Sequence, residues 1–232
     1  MCSFLRRVIL AAGLGALITA VGCGSSSSTQ PQIRVLLAAP NAPVVNVLID
    51  SNIVSSSLGY AANTGYLTVN SGQRHLQLEP VNSSTPILDQ TLSLTGTTET
   101  TVIAEGLSAV NGLVLADDNT APAAGTAMLR VVNAAPSIAA ADVYVVAAGS
   151  SLSGLAATVP SLTFGSASSY QSVTIPTTGT TGSFEVLFTE PGTSLTFLST
   201  GPISLTSGQN RTVVALNGQS GNITSVVLAD LN

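Results

Sequence analysis

Residues 34–47 read RVLLAAPNAPVVNV, and residues 130–143 return to the same pattern as RVVNAAPSIAAADV, so one module is written twice along the chain. The doubling continues in order. LGYAANTGYLTV at 58–69 answers to LTFGSASSYQSV at 162–173, which sets Tyr60 against Phe164 and Tyr66 against Tyr170. LSLTGTTETTVIAEG at 92–106 matches ISLTSGQNRTVVALNG at 203–218, and LVLADDN at 113–119 matches VVLADLN at 226–232. The offset grows from 96 (34 to 130) to 113 (113 to 226), which places the length differences in connections, where insertions are tolerated. Solenoid units repeat every ~20–50 residues, so a period this long predicts two self-contained domains instead of a stack.

Within each copy, apolar residues alternate with polar ones and turn formers punctuate the pattern. Val45, Val47 and Ile49 share a face, as do Leu76 and Leu78, Leu92 and Leu94, and Leu113 and Leu115. The second copy repeats this with Val143 and Val145, then Phe184, Val186 and Phe188, then Val213 and Ala215. One-sided strands need a partner sheet. The expected fold is all-β, two tandem antiparallel β-sandwich domains of immunoglobulin-like type at residues 33–118 and 127–232. Residues 119–126, NTAPAAGT, form a linker that lets the domains lie end to end or touch. Pro40-Asn41-Ala42-Pro43 and the stretch after Pro136 read as turns, because proline removes a ladder donor.

The N-terminus is built for export. Arg6 and Arg7 precede an uncharged run from Val8 to Val21, too short for the roughly 20 apolar residues of a spanning helix. Ala20-Val21-Gly22-Cys23 follows, then the polar stretch GSSSSTQPQ, which reads as a flexible tether over 23–32. Small residues before a cysteine and a Ser-rich leash after it resemble the lipobox of bacterial lipoproteins. The resemblance implies a signal peptide over 1–22, cleaved so that Cys23 becomes lipidated and the membrane becomes a partner. It also implies an extracytoplasmic, membrane-anchored location, on the outer membrane where the host has two, since no Asp follows Cys23.

Charge and cysteine usage narrow the chemistry. The chain is 45% hydrophobic and 7% charged. Beyond the signal only Arg34, Arg74, Arg130 and Arg211 stand against eleven acids. Nucleic acid is therefore excluded as a partner, because it requires basic patches. No disulfide is expected, and copies of this size hold a core without staples. His75, the sole histidine, falls on the strand face opposite Leu76 and Leu78, and a single histidine builds no ordinary zinc site. There is no Gly-x-Ser-x-Gly elbow and no phosphate loop, so no cofactor and no familiar enzyme type is implied.

Several recurring residues are candidates for binding. Arg34 and Arg130 match an anion or sugar-acid contact, or an edge-strand role laid over apolar neighbours and paired with Asp50 or Asp142. Tyr60 and Tyr66, with Tyr144 and Tyr170, match a glycan-stacking platform or ordinary packing. Asp117, Asp118 and Asp230 recur at the ends of the copies and are the candidates for calcium, against a reading as turn formers. Glu79-Pro80 and Glu190-Pro191 recur too, and would carry carboxylate-dependent glycan hydrolysis if a second acid stood nearby.

The opening motif, Arg-Val-x-x-Ala-x-Pro followed by Asn46-Val47 or Asp142-Val143, resembles a bacterial cell-surface family of domains of unknown function, number 4397. The resemblance extends over both copies and implies a β-rich extracytoplasmic module without an assigned reaction. Family members usually open with His-Ala-Ser-Pro; here those positions read Leu37-Ala38-Ala39-Pro40 and Asn133-Ala134-Ala135-Pro136. The expected function is a lipid-anchored, non-catalytic binding or structural module of the cell envelope, engaging a polysaccharide or protein. The alternatives are a glycan hydrolase and an inert surface spacer.

Overall fold

The computed structural model describes residues 30–176 and 179–231; the expected export signal, Cys23 and most of the expected tether lie outside them. Every regular element described is a strand. The first half contains β1 (Gln32–Leu37), β2 (Val45–Ile49), β3 (Asn52–Leu58), β4 (Leu67–Thr68), β5 (Gly72–Pro80), β6 (Leu88–Leu94), β7 (Glu99–Glu105) and β8 (Asn111–Asp117). The second half contains β9 (Thr126–Ala134), β10 (Ala140–Ala147), β11 (Val159–Thr163), β12 (Ser166–Ala167), β13 (Gln171–Thr174), β14 (Thr181–Thr189), β15 (Thr196–Ser199), β16 (Ile203–Thr206), β17 (Asn210–Asn217) and β18 (Ile223–Leu231).

Each half is a sandwich of two sheets. In the first, the sheet β4-β1-β7-β8 faces the sheet β3-β2-β5-β6, and Ile33, Val35, Val47, Leu76, Leu78 and Val102 fill the space between. In the second, β12-β9-β17-β18 faces β11-β10-β14-β15, with β13 also pairing β9 and β16 also pairing β14. Leu129, Val131, Val143, Val186, Phe188 and Val213 form that core. Pairing is antiparallel except at the centre of one sheet in each half. There β1 runs parallel to β7, with Val35 opposite Val102, and β9 runs parallel to β17, with Val131 opposite Val213.

Those parallel strands are largely apolar on both faces, the pattern of strands covered on both sides. The second face meets the other half. Leu36 and Ile103 of the first sandwich pack against Val132, Val214, Leu216 and Leu228 of the second as a third apolar cluster. The molecule is thus four sheets deep, with the two parallel-centred sheets back to back in the middle. The linker does not separate the halves, because two whole sheet faces would otherwise be exposed, and burial of each such Leu, Ile or Val contributes roughly 1.5–3 kcal/mol.

The opening motif has structural work in both halves. Asn46 on β2 accepts the backbone N–H of Ser57 at 3.2 Å, and Asp142 on β10 accepts that of Ser161 at 2.7 Å. Ser57 and Ser161 both sit at positive φ, 57° and 49°, so a side-chain acceptor at the strand irregularity steadies a backbone that non-glycine residues disfavour. Asp142 also accepts the N–H of Gly192, and these two backbone donors hold its carboxyl below the usual range.

Candidate functional site

The recurring charged and aromatic residues meet one another between the sandwiches. Arg34 donates from Nη2 to Asp230 Oδ1 at 2.6 Å and from Nη1 to the Ala229 carbonyl at 2.8 Å, reaching from the first half to the second. Arg130 returns the contact, donating from Nη2 to Asp117 Oδ1 at 2.5 Å and from Nη1 to the Ala116 carbonyl at 2.9 Å. Each guanidinium also donates to a threonine on the neighbouring strand of its own sheet, Thr101 for Arg34 and Thr212 for Arg130. Each carboxylate then accepts a threonine and a tyrosine of its own half. Asp117 accepts Thr101 at 2.6 Å and Tyr66 at 2.7 Å; Asp230 accepts Thr212 at 2.6 Å and Tyr170 at 2.9 Å. The tyrosine rings lie under the guanidinium groups, with centroids 4.5 Å from Arg34 and 4.8 Å from Arg130.

This clamp has approximate twofold symmetry and is dry. Arg34 and Arg130 are 2% and 3% exposed. Burial, and next the adjacent Asp117 or Asp230, push the phenols of Tyr66 and Tyr170 upward, so both remain donors. The clamp turns Arg34, Arg130 and Tyr66, the candidates for ligand contacts, inward onto partners in the seam. Both arginines lie on central strands, not edges, and neither pairs with Asp50 or Asp142; Asp50 is taken by Arg74 at 2.7 Å. Tyr60 is likewise in the seam, donating to the Asn217 carbonyl at 2.5 Å.

The candidates weighed for calcium, Asp117 and Asp230, belong to the same geometry. The oxygens of Asp117 and Asp230 already hold arginine, threonine and tyrosine donors, three to each carboxylate, whereas calcium takes about six to eight oxygen ligands. Asp118 is a turn former, its carboxylate accepting Thr120 N–H and its carbonyl accepting Asn210. Among the described residues no group of three metal-ligating side chains occurs. His75 is on the outer sheet face, with Nε2 2.5 Å from Asp89.

Glu79 and Glu190 are not equivalent. Val47 pairs with Leu78 and Val143 with Phe188, so Glu79 matches Thr189 and Glu190 matches Pro80. A one-residue slip moves a strand side chain to the other face. Thr189 is fully buried, whereas Glu190 is exposed beyond the end of β14.

What both halves keep open is a cleft at one end of the sandwich. In each, the Ala-Ala-Pro segment makes a proline-initiated turn, closed by Ala42 N–H to the Ala39 carbonyl and by Ile138 N–H to the Ala135 carbonyl. In the first half the turn and the β7–β8 connection enclose about 320 Å³ lined by Asn41, Ala42, Pro43, Ile87, Leu107 and Val110. Gly106 shapes that connection: it sits at φ 123°, and a Cβ there would collide with the Ala109 carbonyl. In the second half the matching cleft encloses about 310 Å³ lined by Ser137, Ile138, Ala140, Glu190, Phe197 and Ile223. Both lie at the lower end of small-ligand sites, which span roughly 300–1,000 Å³. The positions where the resembling family carries His and Ser are inside: Leu37, Ala39 and Ala135 are core, and Asn133 is buried with its amide on the Ile138 and Leu162 carbonyls.

Comparison with known proteins adds a family match. Residues 31–144 match the family model for the domain of unknown function DUF4397. The match spans the first sandwich and runs through β9 into β10 of the second. No curated protein matches the sequence. Among solved structures, a streptococcal virulence factor described for its alpha-glucan binding is similar over 84% of this chain and 96% of its own, at 9% identity. Its TM-score of 0.28 is too low for that likeness to assign a ligand or a site here.

Sequence reasoning found the arginines, aspartates and tyrosines of the clamp but not its threonines, Thr101 and Thr212, nor their meeting. A signal was present. VLLAA, VIA, VV and VVAL, at 35–39, 102–104, 131–132 and 213–216, are apolar at consecutive positions where the other strands alternate, which marks strands covered on both faces. Phe197, 36% exposed at the cleft, takes the place of Ile87 in the register, an equivalence that residue identity does not reveal.

Proposed function

We propose that this chain is a non-catalytic binding module of the bacterial envelope, held extracytoplasmically by lipid on Cys23, with its two sandwiches joined into one rigid body. The observation that carries the reading is the recurrence of an open cleft at the same turn in both halves, while the repeated arginine, aspartate and tyrosine set is consumed in joining them. A spacer needs rigidity but no paired clefts. We read the second sandwich as a further copy of the same domain type. A hydrolase reading has little support, since Glu190 is the one acid lining its cleft and Glu79 belongs to the other sandwich.

The test is mass spectrometry on protein isolated from its native envelope, with crosslinked partners retained and a protease other than trypsin, given the scarcity of basic sites. An acylated N-terminal Cys23 with a reproducible wall or protein partner is expected. An unmodified N-terminus and no partner would sink the proposal.

A further inference from the structure

The two clefts differ in chemistry, and the difference selects a ligand. Phe197 offers an aromatic face that is 36% exposed, on a hairpin whose neighbouring Leu195 is also exposed. Glu190 lies at the base of the same hairpin, fixed by its backbone N–H to the Leu195 carbonyl and by its own carbonyl accepting Thr193. Its carboxylate makes no hydrogen bond or ion pair with any described residue. Ser137 and Ile138 close the opposite wall, and Ser137 is held by its N–H and hydroxyl on Asn217 Oδ1, both at 3.0 Å. In the first half Ile87 and Leu107 line the cleft and no acid does.

We infer that the cleft of the second sandwich is a subsite for one uncharged sugar residue of an envelope polysaccharide, with Phe197 stacking on the ring and Glu190 accepting its hydroxyls. This rests on the binding reading above. A pyranose has an apolar C–H face and a rim of hydroxyl donors, which is the pair of demands that an aromatic beside an unpartnered carboxylate makes. A purely apolar peptide side chain satisfies the ring but desolvates the carboxylate without a partner. An anionic sugar meets Glu190 with no cation in the lining and with a strongly acidic chain around it. The cleft in the first sandwich, lacking both groups, is not a sugar subsite.

The experiment is isothermal titration of the purified protein with uncharged glucose hexamers of α-1,4, β-1,4 and β-1,3 linkage and with N-acetylglucosamine hexamer. A lysine hexapeptide tests the cationic ligand that the same two groups would also tolerate. Saturable binding of at least one neutral oligosaccharide is expected, weakened roughly tenfold or more by Phe197→Ala. Glu190→Gln is expected to weaken it less, and Leu107→Ala in the other cleft is expected to leave it unchanged. Unchanged melting of each variant confirms folding, which the exposure of the substituted side chains favours. Absence of oligosaccharide binding, binding that survives Phe197→Ala, or binding of the lysine peptide alone would each overturn the inference. If an envelope partner is still captured while no oligosaccharide binds, the sugar subsite fails and the binding reading stands; if nothing is captured, the binding reading itself fails.

Discussion

The seam and the clefts treat the same duplicated sequence in opposite ways. At the seam the halves match side chain for side chain: Arg34 and Arg130, Thr101 and Thr212, Asp117 and Asp230, Tyr66 and Tyr170. At the clefts the frame is shared, but Leu107 and Ile87 in one half give way to Phe197 and Glu190 in the other. Two halves that must face each other about an axis constrain both copies at once, because each arginine needs the other half's carboxylate. A cleft answers to whatever enters it. In the clamp repetition marks coupling between the halves, and at the clefts departure from it marks the place to look for a ligand.

The largest test is to unbalance the clamp. Asp230→Ala leaves the Arg34 guanidinium buried beside a lost carboxylate, and Asp117→Ala does the same to Arg130. Each is expected to cost about 3–5 kcal/mol, read as a lowered urea midpoint. The symmetry requires the two costs to agree within about 1 kcal/mol. A large cost at one site alone would show that the clamp is lopsided in energy despite its geometry. Replacing both members, Arg34→Met with Asp230→Leu, is expected to recover most of the loss, because a buried ion pair contributes orientation more than net stability.

Glu105 is the exception within the seam and sharpens the comparison next. Register sets Arg34 opposite Thr101 and Arg130 opposite Thr212, so Glu105 occupies the place of Leu216, which is fully buried. Glu105 is 5% exposed and its Oε2 has no hydrogen-bond partner. Across the seam, the second half answers with Gly165, where a Cβ would lie 3.1 Å from Glu105 Oε1. Burial pushes the Glu105 carboxyl up from an ordinary 4.5 to about 7. The folded state then binds the proton more tightly than the unfolded state does. The stability that this confers is complete below about pH 4.5 and is lost as pH rises through about 7. Unfolding midpoints of the unaltered protein should fall across that window, by on the order of 2–3 kcal/mol. Glu105→Gln should remove the fall and be the more stable protein at pH 8. A slope that persists in the variant would assign the titration elsewhere.

Much of the fold was legible because strand patterning is local. Period-2 faces such as Leu76 with Leu78, or Phe184 with Val186 and Phe188, are readable from sequence and are where the structure buries them. The repeat also matched Asp117 to Asp230 and Tyr66 to Tyr170 correctly. What it could not carry was relative placement. Arg34 and Asp230 stand 196 residues apart and meet only because two sheets pack face to face, a fact no strand encodes alone. With the second face unassigned, Arg34 on an otherwise apolar run looked like an edge residue. The Glu-Pro pairs misled for a different reason. Residue identity aligned them, whereas strand register separates them by one position, and one position is a whole face.

The smallest expected effect lies at Tyr60, another asymmetry of the seam. Its hydroxyl donates to the Asn217 carbonyl across the halves, while its counterpart Phe164 has no hydroxyl and is partly exposed. Tyr60→Phe removes the hydroxyl and should cost about 1 kcal/mol, the net worth of one hydrogen bond. Because Asn217 also anchors Ser137 at the wall of the second cleft, the same variant tests whether seam and cleft communicate. Oligosaccharide affinity that falls along with stability would show that the first sandwich helps to hold the cleft of the second in shape. Unchanged affinity would mean that the seam sets only the spacing of the halves, and that the second cleft is fixed by its own turn and hairpin.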